Sequence, residues 1–218
     1  MLAAFLIAAL TLVDLGGRKL VIEQPSVPAR GVILLLPGGA TTLSLAADGS
    51  TSSSNFVIRS RKLLQNAGFV TAYLDDPGDL REPLARLRAL GRPLVILATS
   101  RGTALAVRES LRLGKEAGAD LVVLTSPVTS GVDSLEGFNV RRLAIPVLVV
   151  ENSADGCPVT RPSGAAALAE RLGSNGTYRE VTSSAAQGDA CGGLSPHGFL
   201  GIEGEVAGKI VEWILTPH

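Results

Sequence analysis

The chain has 218 residues, the size of one ordinary domain and enough to bury a substantial core. Its 20 Lys and Arg balance 20 Asp and Glu with no basic run, which excludes a nucleic-acid stripe or a polybasic membrane patch and leaves a small molecule as the expected partner. With 46% hydrophobic and 18% charged residues, disorder is excluded too, and two cysteines (Cys157, Cys191) with two histidines (His197, His218) are too few for a Cys-only zinc site or a His-rich metal site. Neither a metal nor a cofactor is expected.

In chain order, Met1–Val13 is an apolar run broken only by Thr11, too short to cross a bilayer but of the length of a secretory-signal core. No Lys or Arg precedes it and no clear A-x-A site follows, so residues 1–17 read either as an export signal or as a buried first helix or strand of the domain itself. Residues 18–218 form the single domain. Exported, the protein would be periplasmic or secreted; otherwise it would be cytoplasmic with reduced thiols. From Arg18 onward, strand-like runs alternate with helical patterns, as in an α/β fold with a largely parallel sheet. Val32–Leu36, Val70–Leu74, Leu94–Ala98, Leu121–Leu124 and Val147–Val150 are near-continuous apolar runs, as strands covered on both faces should be. Helices are expected over Ile58–Asn66, Glu82–Leu90, Thr103–Leu113, Ala165–Leu172 and Glu205–Leu215, the last with Val206, Ile210, Trp213 and Ile214 on one face. Gly38–Asn55 and Gly173–Pro196 resist regular structure apart from a strand-like piece at Tyr178–Val181. The segment from Thr125 to Pro146 is too short for a lid domain, so an open site is expected.

Leu94–Thr103 reads LVILATSRGT: an apolar strand, a turn centred on Ser100, then a helix. This is the context of a nucleophile elbow, where small residues two before and two after the serine let the backbone turn sharply and expose the hydroxyl. Ala98 stands at the first of those positions; alanine tolerates a positive φ poorly, so the pattern is weaker than an intact G-x-S-x-G. The alternative is that Ser100 only caps the following helix. An acid and a base must then follow in that order. Asp155 lies just beyond the strand Val147–Val150, with a plain turn Asp as its alternative reading and Asp189 as a competitor. His197, the only internal histidine, lies between the last strand-like piece and the last helix, and imidazole is the side chain suited to accept a serine proton near neutral pH. Oxyanion donors are expected from the backbone of Arg101 and of the loop Pro37-Gly38-Gly39-Ala40, with Gly39 or Ala40 supplying the second N–H. No dinucleotide or P-loop glycine pattern accompanies that loop.

These residues resemble the α/β-hydrolase superfamily of serine esterases, most of all a group of small exported bacterial members. The resemblance covers about Lys19 to Trp213. It rests on LLPGGA, on Asn55-Phe56-x-x-Arg59-x-Arg61, on ATSRGT, on Asp155-Gly156-Cys157, and on Cys191 followed by SPHGF and the acidic helix start at Glu203 and Glu205. It implies an α/β-hydrolase fold, with a mostly parallel sheet, helices on both faces and no lid domain. It also implies Ser100 as nucleophile, His197 as base, Asp155 as acid and a Cys157–Cys191 disulfide. The departures are Ala98 and a short stretch between Asp75 and Leu94, which bears on the rim of the site. The expected activity is hydrolysis of small-molecule carboxylic esters through an acyl-enzyme. An amidase, peptidase or thioesterase with the same triad, and a non-catalytic binding protein of the same fold, remain open. No stable membrane insertion is expected.

Overall fold

The computed structural model describes residues 10–218. Eight strands form one sheet: β1 (Leu10–Asp14), β2 (Lys19–Glu23), β3 (Gly31–Leu36), β4 (Phe69–Leu74), β5 (Leu94–Thr99), β6 (Leu121–Thr125), β7 (Val147–Asn152) and β8 (Gly176–Val181), in the order β1-β2-β4-β3-β5-β6-β7-β8. β1 pairs antiparallel with β2 and β2 antiparallel with β4, while every other neighbour is parallel. The tail of the apolar amino-terminal run is therefore β1, a strand as one reading expects but largely exposed rather than buried because it forms the sheet edge, and the sheet takes in residues ahead of Arg18. Met1–Ala9, most of the segment read as a signal, lie outside the described residues.

Among the described residues the α-helices are α1 (Phe56–Arg59), α2 (Arg61–Asn66), α3 (Arg81–Arg88), α4 (Arg101–Ala117), α5 (Pro162–Leu172) and α6 (Glu203–Leu215). Because strand side chains alternate, the apolar runs feed two cores at once. Val32, Leu34, Ile96, Val122 and Val149 face α3, α4 and α5. Ile33, Leu35, Val95, Val123 and Val150 face α1, α2 and α6. All six residues of each of β3, β4, β5 and β7 are buried. This is the α/β-hydrolase arrangement the sequence predicts, with the loops after β3, β5, β6 and β7 gathered along one edge.

Where the elements differ from expectation, local chemistry gives the reason. The single helix expected over Ile58–Asn66 is two short ones meeting at Ser60, whose hydroxyl donates back to the Phe56 carbonyl at 2.8 Å and competes with the helical ladder. Asn55 caps the first, its Oδ1 accepting from the Val57 N–H at 3.2 Å. Among the described residues, 126–146 carries two 3₁₀ turns, at Leu135–Gly137 and Val140–Arg142, and no helix or strand that would make a lid.

Candidate active site

Ser100 stands between β5 and α4 with φ 54° and ψ −126°, a left-handed conformation that costs a non-glycine residue roughly 1–3 kcal/mol. Four neighbours hold it there. Its N–H donates to the Thr125 carbonyl at 3.1 Å, and its own carbonyl accepts from the Thr103 N–H at 2.9 Å. A Cβ on Gly102 would lie 2.5 Å from the Leu36 carbonyl oxygen, and one on Gly38 would lie 2.6 Å from the Ser100 Cβ, so both positions admit only glycine without a shift of backbone. Ser100 occupies the N-cap position of α4, yet its side chain makes no capping hydrogen bond. The capping alternative therefore does not account for it.

The expectation for Ala98 is corrected. It lies inside β5, paired with Leu36 and Leu124, fully buried, and it is not among the residues of positive φ. The strain sits on the serine itself, and alanine at position 98 fits ordinary strand geometry.

Asp155 and His197 meet across two loops, His197 Nδ1 lying 2.9 Å from Asp155 Oδ2, with both residues buried. Asp155 Oδ1 accepts from the Cys157 N–H at 2.8 Å, which fixes the carboxylate plane. Asp189, the competing acid, instead accepts from the Cys191 N–H within its own exposed loop. With Nδ1 turned to the carboxylate, the opposite ring nitrogen, Nε2, is the one left to face a reacting group.

Sequence reasoning assigned no role to four residues that build this arrangement. Buried Thr160 places its hydroxyl 2.8 Å from Asp155 Oδ2, to which it donates, and 3.1 Å from His197 Nδ1. Ser126, at φ 42°, donates from Oγ to the His197 carbonyl at 2.8 Å. Asn152 Nδ2 donates to the Pro196 carbonyl at 2.9 Å. Arg59 carries the largest share: its guanidinium pairs with Glu203 and donates to the carbonyls of Gly193 (2.8 Å) and Gly198 (2.7 Å), on either side of His197. For Arg59 and Glu203 the signal was present as part of the resemblance; a lone Ser, Thr or Asn carries none.

Cys157 and Cys191 form a disulfide with their Cα atoms 4.7 Å apart. The bond joins the acid loop to the histidine loop. Glu151 lies fully buried near the end of β7; its Oε1 accepts from the Asn152 N–H at 2.9 Å and its Oε2 has no hydrogen-bond partner among the described residues. Burial, and after it the neighbouring Asp155 carboxylate, raises its carboxyl well above the ordinary carboxylic range, against the smaller pull of the Asn152 N–H.

Two clefts open beside Ser100. One, of about 420 Å³, is lined by Gly39, Ser100, Arg101, Val128, Val132, Val159 and the disulfide. The other, of about 350 Å³, shares Gly39 and Arg101 with it and continues past Ala40 and Thr41. Gly39, at φ 69°, stands at the junction, and Arg101 opens α4, where backbone N–H groups lack helical partners. Among the described residues no cluster of His, Cys, Asp and Glu suits a metal ion, and no helix is long and apolar enough to cross a membrane.

No family model and no curated protein matches the sequence. Solved structures do. An α/β serine hydrolase homologue from Coxiella burnetii is similar with a TM-score of 0.63 at 15% identity, over 97% of this chain and 100% of that one. A soluble variant of monoglyceride lipase from Saccharomyces cerevisiae gives 0.62 at 11%, over 95% and 94%. A cold-adapted esterase from an Arctic intertidal metagenomic library gives 0.60 at 14%, over 94% and 92%. Coverage of nearly both whole chains in each case shows that this protein has the α/β-hydrolase fold.

Proposed function

We propose that the protein is a serine hydrolase that cleaves carboxylic esters with Ser100, His197 and Asp155. The observation that carries this is the strained, uncapped Ser100 lining a cleft that is also lined by the disulfide between the Asp155 and His197 loops. Backbone strain of this kind on a non-glycine residue concentrates at functional sites.

The reaction runs in two balanced halves. Ser100 Oγ bonds to the ester carbonyl carbon while its proton passes to His197 Nε2, and Asp155 holds the resulting imidazolium. The oxyanion is met by the N–H groups of Arg101 and of Gly39 or Ala40. As the tetrahedral adduct collapses, the C–O bond to the alcohol breaks and the imidazolium returns its proton to that oxygen. Water then gives a proton to His197, attacks the acyl-enzyme, and releases the acid and free Ser100 Oγ–H. Thr160 and Arg59 position the base without touching the substrate. Esters are preferred over amides and thioesters because the similar folds above include a lipase and an esterase.

The protein is also proposed to work outside the reducing cytosol, supported by its disulfide. The test of activity is labelling by a fluorophosphonate and turnover of nitrophenyl butyrate. Ser100→Ala is expected to lose both, with a fall on the order of 10⁶ in kcat and an unchanged circular dichroism spectrum. Turnover within tenfold of the parent rejects Ser100, and a parent protein that neither labels nor turns over favours the non-catalytic reading.

A further inference from the structure

Resting on the hydrolase reading, we propose that the second cleft beside Ser100 is a subsite for a neutral, hydroxyl-bearing half of the substrate, so that the preferred esters are apolar at one end and polyol-like at the other. The two clefts share Gly39 and Arg101, and so adjoin at that point. Beyond it their walls differ in kind. Val128, Val132, Val159 and the disulfide make the first apolar. The second is walled by Thr41, Asp76, Arg101, Arg108 and Asp133.

Charge decides what the second cleft accepts. Two guanidinium groups and two carboxylates leave it without net charge, so an anionic group meets Asp76 and Asp133 and a cationic group meets Arg101 and Arg108. A hydroxyl donates and accepts together, and satisfies both kinds of wall. The wall is also free to respond. Arg101 lies 3.6 Å from Asp133 and Arg108 lies 3.5 Å from Glu109, both arginines more than half exposed. Such long, solvated pairs are held weakly, and a bound hydroxyl replaces part of their hydration at little cost. Asp76, Pro77 and Gly78 enter this wall from the short stretch after β4, the departure expected to reshape the rim.

The experiment compares kcat/KM for three esters of similar size: butyl butyrate, glyceryl monobutyrate and butyl glycerate. The last two place hydroxyls on the alcohol or on the acyl side. One of them is expected to exceed butyl butyrate about tenfold, the worth of one or two hydrogen bonds. In Asp76→Ala and Arg108→Ala, that preferred-to-plain ratio is expected to fall at least fivefold, chiefly through KM. If butyl butyrate is hydrolysed as well as both hydroxylated esters, or if the ratio survives in both variants, the subsite is refuted while the hydrolase stands. If none of the three is hydrolysed by a parent protein that also fails to take the fluorophosphonate, the hydrolase reading falls, and the inference with it.

Discussion

Glu151 is a buried acid that the proposed reaction does not use. Its native carboxyl holds a proton more tightly than the unfolded chain does, because burial and Asp155 disfavour its charge. The folded state thus binds more protons above the ordinary carboxylic range, so this group's contribution to stability is intact at low pH and is lost as pH rises toward its raised value. Replacing it with a neutral isostere should remove that loss. Glu151→Gln is expected to melt close to the parent at pH 4.5 and several degrees above it at pH 8, as thermal denaturation at the two values will show. A gain that is equal at both values would contradict the account.

At the scale of elements, the turn from β5 into α4 depends on closeness of backbones. A Cβ at position 102 would sit 2.5 Å from the Leu36 carbonyl and 2.6 Å from the Pro37 carbonyl, and neither can rotate away. Alanine in a helix ordinarily gains about 1 kcal/mol over glycine, but forcing α4 off β3 costs up to about 3 kcal/mol, so the clash wins. Gly102→Ala is therefore expected to lower stability by about 2 kcal/mol in urea. It should also reduce turnover, because the displaced backbone carries Arg101 and the Gly39 loop. Legibility in the sequence varied element by element for physical reasons. β3 to β7 could be read because strands buried on both faces must be apolar throughout. β1 and β2 could be read less well: β1 belongs to an apolar run that reads either as an export signal or as a first helix or strand, and β2 offers only Leu20–Ile22 between Lys19 and Glu23, too short a run to stand out. Ser100, Asp155 and His197 stood out because their residue types follow in a required order between legible strands. Thr160 and Ser126 did not, since only the folded loops bring those hydroxyls to the imidazole and its backbone.

At the scale of the molecule, the proposed nucleophile sits at the end of a sheet strand, while the proposed acid and base sit on two loops clasped by one covalent bond. The cross-link spans 34 residues, and its chain-entropy contribution is about 4 kcal/mol. For a chain of this size, replacing both Cys157 and Cys191 with serine should lower Tm by about 10 °C, measured by calorimetry against the parent. The bond also closes a ring of chain containing α5, β8 and the exposed loop Ser184–Ala190. Topologically, a ring can be opened once without falling apart. A protease that cuts after small residues should nick that loop to give a protein that runs as a single band until reductant is added, and only then as two. The nicked form is expected to keep its activity, since the fragment bearing Asp155 and the fragment bearing His197 stay tethered within a few ångströms of where the scission left them.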